Sequence, residues 1–96
     1  MLFVINCKDK TGALDVRLAN RPDHLKFLGD LGSQVKAGGP FTDDHGELTG
    51  SMIVIEADNR TEVEAIVARD PYSKADLFQS VEITPWKWVI KNPEMS

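Results

Sequence analysis

The stretch Leu2-Phe3-Val4-Ile5-Asn6-Cys7 decides the fold. Its aromatic and β-branched residues read as a strand. Phe3, Ile5 and Cys7 fall on one parity and Leu2 and Val4 on the other, so both faces of the strand are apolar. Met52-Ile53-Val54-Ile55 has the same property. A sheet with one wet face shows alternation instead. These two strands are therefore central, and both of their faces are expected to be covered.

Working outward, Thr11-Gly12 turns the chain. Leu14, Leu18, Leu25 and Leu28 follow at offsets of 0, 4, 11 and 14, which predicts one apolar face of a helix. Pro22 interrupts that pattern, because proline suits the first turn of a helix and disfavours helix in the residue before it. The expectation is a short helical turn over 13–19, then a main helix over 22–31 capped by Asn20 or Arg21 and stopped at Gly32. Gln34 to Phe41 reads as a second strand, loosened by Gly38-Gly39-Pro40. Residues 42–48 form a polar connection with a turn at Asp44-His45-Gly46. Thr49 to Ala57 is the third strand. A second helix follows, capped by Asp58, Asn59 or Thr61, with Val63, Ile66 and Val67 on its apolar face. Asp70-Pro71 ends it, and residues 71–76 give one more helical turn. Ser80 to Ile90 is the last strand, and 92–96 a short tail.

The order β-α-β-β-α-β is the split βαβ pattern of an α+β, ferredoxin-like domain. Right-handed crossovers put both helices on one face of a four-stranded antiparallel sheet, with strand order 4-1-3-2. The other face is left apolar. A second copy of the sheet is the simplest cover, which predicts a homodimer through the sheet face. Trp86 and Trp88 share a parity and are candidate anchors of that interface, and Pro85 between the apolar sets marks a bulge or an edge.

The 96 residues, 42% of them apolar, suit one domain with one core. The 11 basic residues form no stripe and the net charge is −4, which argues against nucleic acid and against an acidic membrane surface as partners. Cys7 is the only cysteine, so no intrachain disulfide or multi-cysteine metal site exists. The apolar start is too short for a signal peptide, no stretch has the length of a membrane span, and a cytoplasmic setting is expected.

Two residues carry the lead to chemistry. His24 stands near the start of the main helix in Arg21-Pro22-Asp23-His24-Leu25, and Asp70 stands where the second helix stops, in Arg69-Asp70-Pro71-Tyr72. A histidine with a carboxylate partner takes up and returns protons near neutral pH. Each has a plainer reading. His24 suits a satisfied helical histidine, and Asp70 suits the cap of a following turn with Pro71 at its first position. Capping and partnering are compatible, since a carboxylate has two oxygens.

Ser51, after Gly50, is a hydroxyl donor for a substrate oxygen or a structural hydroxyl. It is not a hydrolase nucleophile, because no Gly-x-Ser-x-Gly elbow surrounds it. Gly38, Gly39 and Pro40 either shape the backbone or let a ligand approach closely. Tyr72 walls a pocket or packs. Arg17 and Arg21 read as exposed helix-end residues, with attraction of an anionic substrate as the alternative. Parity leaves Lys36 open between pocket and solvent. Cys7 reads as a small buried core residue. Asp43, Asp44 and His45 match no metal motif and read as a solvated turn. No metal and no cofactor is expected, since phosphate-loop, dinucleotide and haem motifs are missing.

The N-terminal strand, Arg17-Leu18-Ala19-Asn20-Arg21-Pro22-Asp23-His24-Leu25, Gly38-Gly39-Pro40, Leu48-Thr49-Gly50-Ser51, Asp70-Pro71-Tyr72 and the closing strand succeed one another in an order that resembles the YCII-related (YciI-like) family. The resemblance spans nearly the whole chain, residues 1–96, as a single YCII-like domain. It implies a dimeric α+β barrel similar to muconolactone isomerase, and a His–Asp active site that maps to His24 and Asp70. A related domain is associated with dehydrochlorination of a chlorinated hydroxyhydroquinone, an analogy that offers a reaction class. The acidic loop at Asp43-Asp44 is individual to this chain.

The expectation is a small cofactor-independent enzyme. His24 would move a proton on a small oxygenated substrate, aromatic ones included, by elimination or isomerisation, with Asp70 orienting it. Ser51, Gly39, Pro40 and Tyr72 would contact that substrate. The alternative is a non-catalytic dimeric module that binds a small ligand or a protein through the same pocket.

Overall fold

The computed structural model describes residues 1–95. The elements are β1 (Leu2–Asp9), α1 (Leu14–Leu31), β2 (Val35–Thr42), β3 (Leu48–Glu56), α2 (Arg60–Arg69), α3 (Pro71–Lys74) and β4 (Phe78–Trp86). A 3₁₀ turn, Gly32–Gln34, joins α1 to β2. The strands form one antiparallel sheet in the order β2-β3-β1-β4. This is the ferredoxin-like α+β arrangement, with the two strands of double-sided apolarity at its centre.

Register places Phe3 opposite Ile55 and Ile5 opposite Ile53. These residues, with Cys7, Ala57 and the α2 residues Val63 and Ile66, make the core. Phe27, Leu28 and Leu31 of α1 pack onto the same cluster, so α1 and α2 cover one face. Phe3, Ile55, Val63, Tyr72 and Leu77 are fully buried. Each such side chain contributes on the order of 1.5–3 kcal/mol. The opposite parity carries Leu2, Val4, Met52, Val54 and Trp86. On that face Met52 and Trp86 keep 38% and 41% of their surface in solvent.

Local sequence explains the ends. Gly12 and Gly32 take positive φ at the two ends of α1, where a side chain would be strained. Asn59 caps α2 by accepting from the Glu62 amide, while Glu62 reaches back to the Asp58 amide. At Gly50 an added Cβ would overlap the Cys7 carbonyl oxygen, so only glycine allows β1 and β3 to approach there. Among the described residues, no helix is long and apolar enough to cross a membrane.

Three expectations are corrected. First, α1 is continuous through Pro22 and has no side-chain cap; Ala13 stands at its start. Pro22 removes one backbone donor but breaks nothing, and Asn20 turns its amide back to the Val16 carbonyl instead of capping a helix. Second, the leucines do not form the buried face: Leu14, Leu18 and Leu25 are 36%, 49% and 53% exposed. The buried residues of α1 are Arg17 and His24. Polar side chains turn inward because each meets a buried carboxylate there. Third, β4 runs over 78–86, so Trp88 lies beyond it and donates its indole N–H to the Ile90 carbonyl. Pro85 sits within this outer strand opposite Phe3, and the bulge lies at Lys8/Asp9.

Candidate active site

Asp70 links α2 to α3. Its backbone is extended, as the residue before a proline prefers. Its Oδ1 accepts from the Tyr72 amide at 2.9 Å, which caps α3. The same oxygen lies 2.9 Å from His24 Nδ1. His24 and Asp70 are 7% and 4% exposed, so the bond is shielded from water. A carboxylate can only accept, so Nδ1 is the donor in this bond. No hydrogen bond among the described residues engages Nε2. The Tyr72 ring stacks on the imidazole, centroids 3.9 Å apart and planes 16° from parallel.

A second buried group adjoins the first. The Arg17 guanidinium makes two hydrogen bonds to Asp9, Nε to Oδ2 at 2.6 Å and Nη2 to Oδ1 at 2.9 Å. Nη2 also donates to Ser51 Oγ at 2.8 Å. The guanidinium carbon stands 4.7 Å from the centre of the Tyr72 ring. Tyr72 thus touches both groups.

His24, Arg17, Ser51 and Tyr72 line a cavity of about 170 Å³. Gly38, Gly39 and Pro40 of β2 form one wall, and Leu25, Leu28, Val35, Leu48 and Ile53 supply apolar surface. Arg21 stands at the cavity too and is exposed. No carboxylate of the described residues lines it.

Burial sets the ionisation of this region. Burial opposes the Arg17 charge, but Asp9 outweighs it and raises the guanidinium above its usual range. Burial also raises the Tyr72 phenol, against the pull of Arg17 and Arg21, so Tyr72 stays neutral at physiological pH. Beneath the site, burial and then the Asp70 charge push the Cys7 thiol up to about 12.

All the proposed site residues, His24, Asp70, Ser51, Gly39, Pro40 and Tyr72, therefore stand at or directly behind one cavity. Arg17 departs from its reading as an exposed helix-end residue: it is 3% exposed. Its partner Asp9 was not singled out in the sequence. The signal was present, since Asp9 continues the inward parity of Phe3, Ile5 and Cys7. A carboxylate at such a position requires a cation. Lys36 is not among the residues that line the cavity and pairs with Glu94 at 3.0 Å. Asp43 closes its turn by accepting from the amides of His45 and Glu47.

Residues 1–87 match the YCII-related domain. The chain belongs to that family. Within it, Protein YciI of Escherichia coli is 34% identical, over 93% of this chain and 99% of its own length. An uncharacterized protein of Haemophilus influenzae is 32% identical over the same shares. Among solved structures, 5-chloro-2-hydroxyhydroquinone dehydrochlorinase of Burkholderia phenoliruptrix, in complex with 2,5-dihydroxybenzoquinone, superposes with a TM-score of 0.85. It is 38% identical, over 91% of this chain and 94% of that one. An antibiotic biosynthesis monooxygenase superposes with a TM-score of 0.56 at 17% identity, covering 93% and 99% of the two chains, a likeness of fold alone.

Proposed function

We propose that this YCII-related protein is an acid–base enzyme that acts through its own side chains on a small oxygenated ring. One observation carries the reading: His24 Nδ1 is held by a buried carboxylate at 2.9 Å while its other nitrogen is unengaged at a cavity. His24 Nε2 takes a proton from the substrate, from a ring hydroxyl in an elimination and from carbon in an isomerisation. In the elimination the O–H pair closes a carbonyl, the ring pair it displaces takes up a proton at the carbon that bears the halogen, and loss of a second hydroxyl proton closes a second carbonyl as the halide leaves with its bonding pair. Asp70 stabilises the imidazolium that results. In an isomerisation the same proton returns at another carbon. The 38% likeness to a dehydrochlorinase supports elimination.

The test is chloride release from 5-chloro-2-hydroxyhydroquinone. Turnover is expected in the wild type, with a loss of about 10²–10⁴-fold in His24→Ala. Undiminished turnover in that variant would overturn the assignment of the base. Proton exchange at carbon with a lactone substrate tests the isomerisation branch in the same way.

The working form on this reading is a homodimer joined through the open sheet face. What supports it is the apolar set Leu2, Val4, Met52 and Trp86 on that side. Sedimentation equilibrium is expected to return twice the chain mass, and Met52→Asp to return the chain mass itself.

A further inference from the structure

We infer that Gly38 is a specificity-determining residue of the cavity: its missing side chain leaves a notch in the apolar wall that takes one ring substituent the size of a chlorine or a methyl group. The inference rests on the cavity being the ligand site proposed above, but not on His24 performing chemistry.

The fold does not require glycine at position 38. Gly12, Gly32 and Gly46 take positive φ, and Gly38 does not. Gly50 lies against the Cys7 carbonyl, where a Cβ has no room. A Cβ on Gly38 would meet the Met52 carbonyl oxygen at 3.6 Å and the Ile53 side chain at 3.8 Å and 4.0 Å, which are ordinary contacts. The irregularities of β2 fall at Val35/Ala37 and at Phe41/Thr42, on either side of it. Glycine inside a strand weakens the strand, and where no bulge or bend explains it, it marks a place where another group comes close.

Register fixes the side from which that group comes. Gly38 pairs with Ile53 and Pro40 with Ser51, and residues directly opposite in a ladder share a face. Ile53 and Ser51 line the cavity. A Cβ on Gly38 would therefore enter the cavity beside the Ile53 side chain. Gly39 pairs with Met52 on the opposite face of the sheet.

The wall changes character along this ladder. At Pro40 and Ser51 it carries a hydroxyl; at Gly38 and Ile53, and then at Val35, it is hydrocarbon. A ring that turns its oxygens toward Ser51 and His24 turns a carbon edge toward Gly38. The cavity of about 170 Å³ is close to the roughly 150 Å³ in which a dry protein cavity holds one benzene, so a single six-membered ring fills it. Leu28 and Ile53 cannot recede far to admit more. The void behind them measures about 10 Å³, no more than one water needs. Room for a substituent on the ring comes from the bare Cα of Gly38, with Ile53 and Val35 as its apolar neighbours.

The probes are hydroquinone, methylhydroquinone and chlorohydroquinone, which share a ring and two oxygens and carry a hydrogen, a methyl or a chlorine at one carbon. Each is titrated under nitrogen into the full chain, with binding followed by amide NMR shifts. The wild type is expected to bind both substituted rings about tenfold or more tighter than hydroquinone, as one methylene in an apolar pocket does. Agreement between methyl and chlorine reads size, not halogen chemistry. Gly38→Ala is expected to lose the advantage with its circular dichroism unchanged, because the new methyl fills the notch. Gly38→Val is expected to weaken hydroquinone as well, since its further methyls reach the ring itself. An advantage that survives in Gly38→Ala overturns the inference, and so does a wild type that binds the three rings equally. Failure of all three probes to bind the wild type overturns it together with the cavity as a ligand site. An advantage lost in Gly38→Ala, with no chloride release in any elimination assay, leaves the notch standing and removes only the chemistry assigned to His24.

Discussion

His24 and Tyr72 share one acceptor: Asp70 Oδ1 receives the imidazole Nδ1 and the Tyr72 amide, each at 2.9 Å. A single carboxylate oxygen therefore starts α3 and orients the candidate base. Asp70→Ala removes a helix cap and strands a buried imidazole N–H. The expected loss of stability is on the order of 2–3 kcal/mol. Urea denaturation measures it. Asp70→Asn keeps an acceptor for the cap and is expected to cost less.

The same bond fixes the tautomer. Nitrogen-15 NMR of the imidazole is expected to show the proton on His24 Nδ1 in the wild type. In Asp70→Asn the amide can present its NH₂ group to the ring, and a mixture of tautomers is expected. An unchanged spectrum would separate Asp70 from His24.

Arg17 and Asp9 form a buried pair, 3% and 9% exposed. Arg17→Leu leaves an unpaired buried carboxylate and is expected to cost about 3–5 kcal/mol. Replacing both residues by leucine removes the orphaned charge and is expected to recover much of that loss. The double-mutant cycle in urea gives the coupling directly.

Cys7 sets an alkaline limit. Its thiol titrates near 9.0 when unperturbed and at about 12 in the folded chain. Below pH 9 it is protonated in both states, so its contribution to stability is fully present. Between pH 9 and about 12 only the unfolded chain gives up the proton, and stability falls as pH rises. Urea midpoints taken across this window are expected to fall in the wild type and to fall less steeply in Cys7→Ala. The residual slope belongs partly to Tyr72, whose phenol is raised in the same direction. At neutral pH the native thiol is expected to resist alkylation until the chain unfolds.

Gly50→Ala tests the tight crossing of β1 and β3. The new Cβ would overlap the Cys7 backbone carbonyl, and backbone cannot swing aside as a side chain does. A loss of about 1–3 kcal/mol is expected by thermal or urea unfolding.

Strand order was legible in the chain because parity and turn chemistry act locally, and of the candidate site the pairing of His24 with Asp70 is what the structure brings together. Leu2 to Cys7 and Met52 to Ile55 announce central strands by being apolar on both sides, and Asn59, which caps α2, is one of the three candidates the chain offers there. The inward face of α1 was only partly legible from apolar spacing, since Leu28 packs onto the core while Leu14, Leu18 and Leu25 stay exposed. That face is chosen by tertiary electrostatics: Arg17 and His24 turn in because Asp9 and Asp70 wait there, from a strand and a helix junction distant in sequence. Pro22 misled for a related reason. Packing along α1 outweighs one missing backbone donor, so the helix continues where propensity alone would stop it.

Both outer strands of the sheet contain a proline, Pro40 in β2 and Pro85 in β4. In an outer strand proline is tolerated where the missing N–H would have faced outward. Each rim of the sheet therefore presents an interrupted row of donors to any passing chain. Recruitment of a further strand, the first step toward fibrils, is opposed at both ends, on one rim by Pro85 and on the other by Pro40, which also walls the cavity.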